Sequence, residues 1–331
     1  MYTVTPISDH TTWDTLVDLL AGHPLQKWGW GQLKSAHNWS ATRLLVTNAA
    51  GDRVAGAQVL HRHLPFPFQS VSHMPRGPFF STALTSTERT DVTTALTTWL
   101  KEHTGGVGVT IEPDLDATEP LTPAGAVASP NPILYPTTLI LDLTQPADDI
   151  LAGASKTTRY DIRKGAKNNL EIRRVVTDSE VDAVLATYRA NAERVGFAIH
   201  SDEYYRDVHR LLGEDSFIAA CFADGEVVSF VWLAKSATTW FELYASATDQ
   251  GRKLRANAPV KWFAIEQAHT QGATRYDMNG LLNDGISDFK RSFAKHENTL
   301  HPSIDVPFSS LYTAWNKALP TAKKVLRKIR G

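Results

Sequence analysis

Three apolar runs follow one another closely between Phe217 and Ser246: Phe217–Ala223, Glu226–Lys235 and Thr239–Ser246. Asp224-Gly225 joins the first two, a strong hairpin signal because both residues tolerate the left-handed backbone that a tight turn needs. With the third run adjacent, the spacing predicts a three-stranded meander. Different periods surround it. Glu171–Val176 reads as a strand, and Asp178–Val195 and Ser201–Leu212 read as helices. After the meander come a helix over Asn257–Gln271, ended by Gly272, and a strand over Arg275–Met278 ahead of Asn279-Gly280. Strand, two helices, meander, helix, strand is an α+β order, with a mixed, mostly antiparallel sheet flanked by helices.

The first half is a looser version of the same order. A strand over Tyr2–Pro6 leads to a helix capped by Ser8 or Asp9, and a second helix spans Leu25–His37. Ala41–Thr47 and Arg53–His63 are β-like runs on either side of Asn48–Asp52, and a helix over Thr85–His103 precedes a strand over Gly106–Glu112. Six prolines between 113 and 136 make an irregular connector, followed by a strand over Thr137–Leu143 and a helix over Ala147–Asn168. A chain of 331 residues exceeds one comfortable core. The expected division is 1–145 and 146–295, with 296–331 packing back on the first domain or forming a basic tail. The layout resembles the GNAT type of N-acyltransferase domain, so the expected fold is α+β, two tandem GNAT-like domains.

Composition excludes several classes. A net charge of −1 argues against a chain basic over its whole surface, although local basic patches survive such an average. Cys221 is the only cysteine, so neither an intramolecular disulfide nor a CxxC metal site is available. The twelve histidines are scattered, and His61-Arg62-His63 has no third ligand nearby in sequence, so no metal is expected. Neither a nucleophile elbow nor a P-loop is present, and no cofactor is expected. No run approaches the roughly 18 apolar residues of a membrane span, and Met1–Pro6 is unlike a signal peptide. The expected compartment is the cytoplasm.

Two stretches are locally basic. Residues 156–174 carry seven Lys/Arg against Asp161 and Glu171, and Arg159, Arg163 and Lys167 recur every four residues along one helix face. Such a stripe suits an RNA backbone, as against an ordinary solvated face. Lys156, Arg159, Arg163, Lys164 and Lys167 are therefore candidate RNA contacts. From Lys317 to Gly331 there are six Lys/Arg and no acid, interleaved with Leu319, Val325, Leu326 and Ile329. That pattern leaves open peripheral contact with the inner membrane surface, a grip on tRNA, or a frayed terminal helix.

Several segments together resemble the Fem family of peptidoglycan bridge-forming aminoacyltransferases, and in that family's order. They are Gln26-Lys27-Trp28-Gly29-Trp30-Gly31-Gln32-Leu33-Lys34, Pro75-Arg76-Gly77-Pro78, Ile111-Glu112-Pro113, the basic run Lys156–Ala166, and Glu193-Arg194-Val195-Gly196-Phe197. Leu243-Tyr244-Ala245-Ser246, Arg275-Tyr276-Asp277 and Phe289-Lys290-Arg291-Ser292-Phe293 complete the set, which covers about residues 20–295. No long heptad run is present, so the chain is similar to the compact form without an inserted coiled-coil arm.

The resemblance implies transfer of an amino acid from aminoacyl-tRNA to the third-residue side-chain amine of a peptidoglycan stem peptide. The acceptor is a nucleotide-linked (UDP) or lipid-linked muropeptide. It further implies catalysis by Lys290, a fixed cation between Phe289 and Phe293, and phosphate contact by Lys34. Tyr204 and Tyr244 match substrate-contacting tyrosines. His200 stands where the family has arginine, which leaves the second phosphate contact in question. Glu112, an acid ahead of proline, is a further candidate proton acceptor, and Arg76 reads as a loop organiser. Two other readings stay open: an acyl-CoA-dependent GNAT enzyme, and a non-catalytic tRNA- or lipid-binding protein of this fold. Against CoA stands the stretch Arg252-Lys253-Leu254-Arg255-Ala256-Asn257, which has no glycine where backbone amides would have to approach a pyrophosphate.

Overall fold

The computed structural model describes residues 1–165, 170–282 and 284–319. It forms two compact units, Met1–Pro136 together with the chain from Thr299 onward, and Thr137–Asn298. The division falls ahead of the expected 145/146 because Ile140–Asp142 pairs antiparallel with Arg275–Asp277 and so belongs to the second sheet.

In the first unit Thr3–Pro6, Ser40–Thr47, Arg53–His63 and Ser70–Pro75 pair antiparallel in that order. Ser70–Pro75 then runs parallel to Gly108–Glu112, which pairs antiparallel with Ile304–Pro307. The parallel step needs a long crossover, and the helix Ser86–His103 supplies it. That helix starts sharply because Thr85 and Glu88 form a capping box, and it buries Val92, Leu96 and Leu100 against Val109 and Ile111. The expected helix over Leu25–His37 is a 3-10 turn, Pro24–Gln26, followed by Trp28–Ala36. Gln26 causes the break: its side chain reaches the backbone of Gln58 and Pro75 instead of solvent.

The second unit repeats this pairing. Glu171–Arg174, Ser216–Ala223, Glu226–Lys235 and Thr239–Ala247 are antiparallel, and the last runs parallel to Arg275–Asp277, with Ile140–Asp142 closing the edge. The helix Asn257–Thr270 covers one face, where Ala264, Ile265 and Ala268 meet Phe217, Ala219, Cys221, Val231, Leu233 and Trp240. The opposite face carries Asp178–Val195 and Asp202–Leu212. The expected helix Ala147–Asn168, whose last three residues lie outside the described ones, is two helices up to that point, Ala147–Gly153 and Lys156–Gly165. Ala154 is extended and the Ser155 hydroxyl accepts the Thr158 amide, an N-cap that starts the second helix afresh.

Candidate functional site

The strand Thr239–Ala247 presents candidate site residues to both faces of its sheet because its pairing changes midway. Its parallel register with Arg275–Asp277 covers only Thr239, Trp240 and Phe241, after which the two strands part. At the same place Trp232 pairs with Tyr244 and Leu233 with Glu242, so Leu243 is an extra, bulged residue. In a regular strand Glu242 and Tyr244 would share a face. With Leu243 bulged, Glu242 faces the Asn257–Thr270 helix and Tyr244 faces the aromatic side.

On the helix side, both Glu242 carboxylate oxygens accept from the Lys261 ammonium at 2.6 Å, and the Tyr276 hydroxyl donates to Oε1 at 2.8 Å. All three residues are buried. Burial and the neighbouring Glu242 charge hold the Tyr276 phenol well above its usual range, so it is a permanent donor. Asn279, at φ 63°, donates from Nδ2 to the Glu242 carbonyl, and its amide donates to Asp277 Oδ1. The turn thus fixed presents two carbonyls to Lys290, whose Nζ lies 2.9 Å from Gly280 O and 3.4 Å from Asn279 O. Among the described residues, these two carbonyls are the hydrogen-bond acceptors of the Lys290 ammonium. Burial pushes the Lys290 pKa down, with Glu242 opposing, Lys261 adding, and Asp277 and Asp284 opposing again. The flanking rings of Phe289 and Phe293 meet edge to face at 5.4 Å between centroids.

The aromatic side brings three sequence-chosen residues together. The His200 ring stacks on Tyr204 at 4.0 Å between centroids, and the Tyr204 and Tyr244 hydroxyls are hydrogen-bonded to each other. Tyr205 stands edge-on to Tyr244 at 5.0 Å and accepts the His200 amide at 3.1 Å. Ser201 caps the helix that carries both tyrosines. Burial raises the Tyr204 phenol to about 12 and the Tyr244 phenol further, so at neutral pH these groups act as hydrogen-bond donors and acceptors, not as bases.

The basic helix is less uniform than its four-residue spacing suggests. Arg159 turns back to the carbonyls of Ala152 and Ala154, closing the preceding helix. Lys156 and Arg163 are exposed, while Lys164 lies 5.7 Å from the exposed Tyr160 ring. Arg255, from the turn ahead of the Asn257–Thr270 helix, pairs with Asp161 at 2.6 Å and approaches Tyr160 from 5.5 Å. Lys167 and the tail from 320 lie outside the described residues.

In the first unit, Lys34 sits in the last turn of Trp28–Ala36 with its Nζ 4.4 Å from the Trp30 ring. Burial pushes its ammonium down to about 8. The helix is pressed against the sheet at Gly31, where a Cβ would come within 2.2 Å of Gln58 Oε1. Glu112 is buried and serves as a clasp. His73 Nε2 lies 2.7 Å from its Oε2, and Oε1 accepts the Ile133 and Leu134 amides at 2.6 and 2.9 Å and the Ser303 hydroxyl at 3.1 Å. Burial opposes its ionisation, but the His73 and backbone hydrogen bonds outweigh that and hold the carboxyl below its usual range. Arg76, also buried, donates to the Tyr135 carbonyl and so ties the same connector down.

Glu242, Lys261, Tyr276 and Asn279 were not selected from sequence as site residues. One signal for them was present: Glu242 interrupts the apolar run Trp240–Tyr244, and Lys261 interrupts Ala258–Ile265, each a lone charge on a buried element.

Residues 153–291 match the family described as Acetyltransferase (GNAT) domain. No curated protein matches the chain. Among solved structures it is similar to FemX, with a TM-score of 0.83 at 16% identity over 95% of this chain and 100% of that one. It is also similar to L-PGS from Bacillus licheniformis, with a TM-score of 0.57 at 10% identity over 94% and 96% of the two chains. A tandem GNAT protein from the clavulanic acid biosynthesis pathway gives a TM-score of 0.51 at 12% identity over 93% and 99%. The chain has a Fem-like acyltransferase fold, two GNAT-type units in tandem.

Proposed function

We propose that the protein is an aminoacyltransferase that moves an amino acid from aminoacyl-tRNA to the stem-peptide amine of a peptidoglycan precursor. The observation that carries the choice of donor is the state of the turn before the Asn257–Thr270 helix. An acyl-CoA enzyme of this fold needs free amides there to cradle a pyrophosphate. In this chain the Leu254 amide donates to Gln250 O at 2.8 Å, Arg255 to Arg252 O at 3.1 Å and Ala256 to Gly251 O at 2.9 Å. Pro259 has no amide proton to offer. Gly251, the one glycine nearby, is held by packing, since a Cβ would meet Val228 O at 2.1 Å.

The donor ester is already activated, so the reaction needs positioning and charge stabilisation. The acceptor amine attacks the ester carbonyl, the carbon–oxygen bond to the ribose breaks, and the amine proton passes to the leaving ribose oxygen. Lys290, held by two carbonyls, would offer its ammonium to the oxyanion of the tetrahedral intermediate. The Tyr204–Tyr244 pair offers hydroxyls that stay protonated. The acceptor's diphosphate suits Lys34. Lys156, Arg163, Lys164 and Arg255 offer an RNA backbone cationic contacts.

The match of 153–291 to the acetyltransferase domain favours acyl-CoA as the second reading. One assay separates them: charged tRNAs are offered with nucleotide-linked and lipid-linked muropeptides, beside acetyl-CoA with the same acceptors. Transfer from tRNA that ribonuclease abolishes supports the proposal. Transfer from CoA that ribonuclease leaves untouched overturns it.

A further inference from the structure

We infer that Tyr160, with Lys164 and Arg255 at its ring, is a binding site for an unpaired nucleotide of single-stranded RNA: the ring stacks on the base, and the two cations take the flanking phosphates. This rests on the reading of an RNA-linked donor and names where that RNA touches the second unit. The helix Lys156–Gly165 buries Thr158, Ile162 and Gly165. Gly165 sits so close to Pro259 that a Cβ would meet its Cγ at 2.3 Å, which pins the helix against Asn257–Thr270. The opposite face carries Lys156, Tyr160, Arg163 and Lys164, at positions i, i+4, i+7 and i+8. The cationic face is therefore centred on a tyrosine, and Arg159 is off it, spent on the carbonyls of Ala152 and Ala154.

Tyr160 is 52% exposed, so its ring is open to a ligand. Two cations reach it from different elements: the Lys164 ammonium lies 5.7 Å from the ring centroid and the Arg255 guanidinium 5.5 Å. Arg255 stands in the turn after the helix Asp249–Lys253 at φ 59°, a helix-end conformation that glycine usually fills. An arginine there accepts the strain of a Cβ and brings a guanidinium to the ring. Its Nη1 lies 2.6 Å from Asp161 Oδ1, which fixes the side chain and neutralises the one acid of the Lys156–Gly165 helix. A guanidinium has five N–H donors, so this pair leaves others for a phosphate. An exposed ring among cations matches single-stranded nucleic acid, ring to base and cation to backbone. A duplex keeps its bases stacked on one another, so the base that meets Tyr160 is an unpaired one.

The test reads binding, so its outcome does not depend on which reaction the protein performs. Affinity of the full chain is measured across a salt series for a labelled single-stranded RNA of about eight nucleotides, beside a ribose–phosphate strand of the same length without bases. The parent should prefer the base-bearing strand by about tenfold, the usual effect of one stacked base. Tyr160→Ser should abolish that preference and leave affinity for the abasic strand as it was, whereas Tyr160→Phe should keep the preference. The ring is on the surface, so both variants should retain the parent's thermal midpoint. Lys164→Gln and Arg255→Gln should each weaken both strands and reduce the slope of log affinity against log salt by about 0.7, one single-strand phosphate contact. A preference for bases that survives in Tyr160→Ser overturns the inference. Equal binding of both strands by the parent also overturns it, since that marks a face that meets any polyanion, an acidic bilayer included. Transfer from charged tRNA with no effect of Tyr160→Ser on binding would keep the donor reading and remove this site. The binding pattern without transfer would keep the site and remove the reaction.

Discussion

Glu242 and Tyr244 stand two residues apart on one strand and face opposite sides of its sheet, because Leu243 between them is bulged out of register. One strand therefore serves two sets of side chains: the Lys261–Tyr276–Lys290 side and the tyrosine side. The bulge coincides with the place where the parallel pairing to Arg275–Asp277 ends.

Lys290→Met should lower turnover by about two to three orders of magnitude, the usual effect of losing a charge aimed at a developing oxyanion. The thermal midpoint should fall by only a few degrees, since the change removes two hydrogen bonds to carbonyls worth about 1 kcal/mol each and keeps the side-chain length. Turnover and midpoint measured on the same preparation decide it. A fully active, folded variant would remove Lys290 from the mechanism.

On the proposed reading, Lys34 should give the acceptor step a pH dependence. Its ammonium is pushed down to about 8 by burial, so the free protein loses this cation as pH rises through that value. Attraction for a diphosphate is present below pH 8 and fades above it, and kcat/KM for the acceptor should decline there. Lys34→Arg keeps its charge throughout and should flatten the decline, whereas Lys34→Ala should raise KM below pH 8, with little change in kcat, and differ little from the parent above it. A decline that persists unaltered in Lys34→Arg would assign the titration to another group.

Glu112 is expected to act on stability. Its folded-state carboxyl lies below the unfolded value, so its contribution is present above the ordinary glutamate range and is lost as pH falls through the folded pKa. Glu112→Gln removes the charge that the His73, Ile133, Leu134 and Ser303 contacts satisfy and should cost about 2–4 kcal/mol in urea unfolding at pH 7. The difference from the parent should shrink as pH falls below about 4. A variant of parental stability that has lost turnover would instead make Glu112 a proton acceptor in the reaction.

The meander, the helix ends and the α+β order were legible in the sequence because they depend on local signals. Asp224-Gly225 needs only its own backbone freedom, and Thr85 with Glu88 closes a capping box within one turn. Residue types at family-like positions also pointed to Lys34, Tyr204, Tyr244 and Lys290. Long-range pairing was not legible. Ile140–Asp142 looks like a first-half strand until its partner Arg275–Asp277 is known, and Ile304–Pro307 joins the first sheet from the far end of the chain. Arg159 fitted a cationic stripe by spacing, yet two carbonyls of the preceding helix turned it inward. Glu242 and Lys261 lie nineteen positions apart and meet only because a strand and a helix are stacked. Periodicity assigns each residue a face, but a bulge such as Leu243 reverses that assignment, and bulges are set by cross-strand register. The sequence by itself determined which elements form and which chemical groups the chain carries. The tertiary structure decided which groups share a buried place, because burial and pairing set the charge and the direction of each.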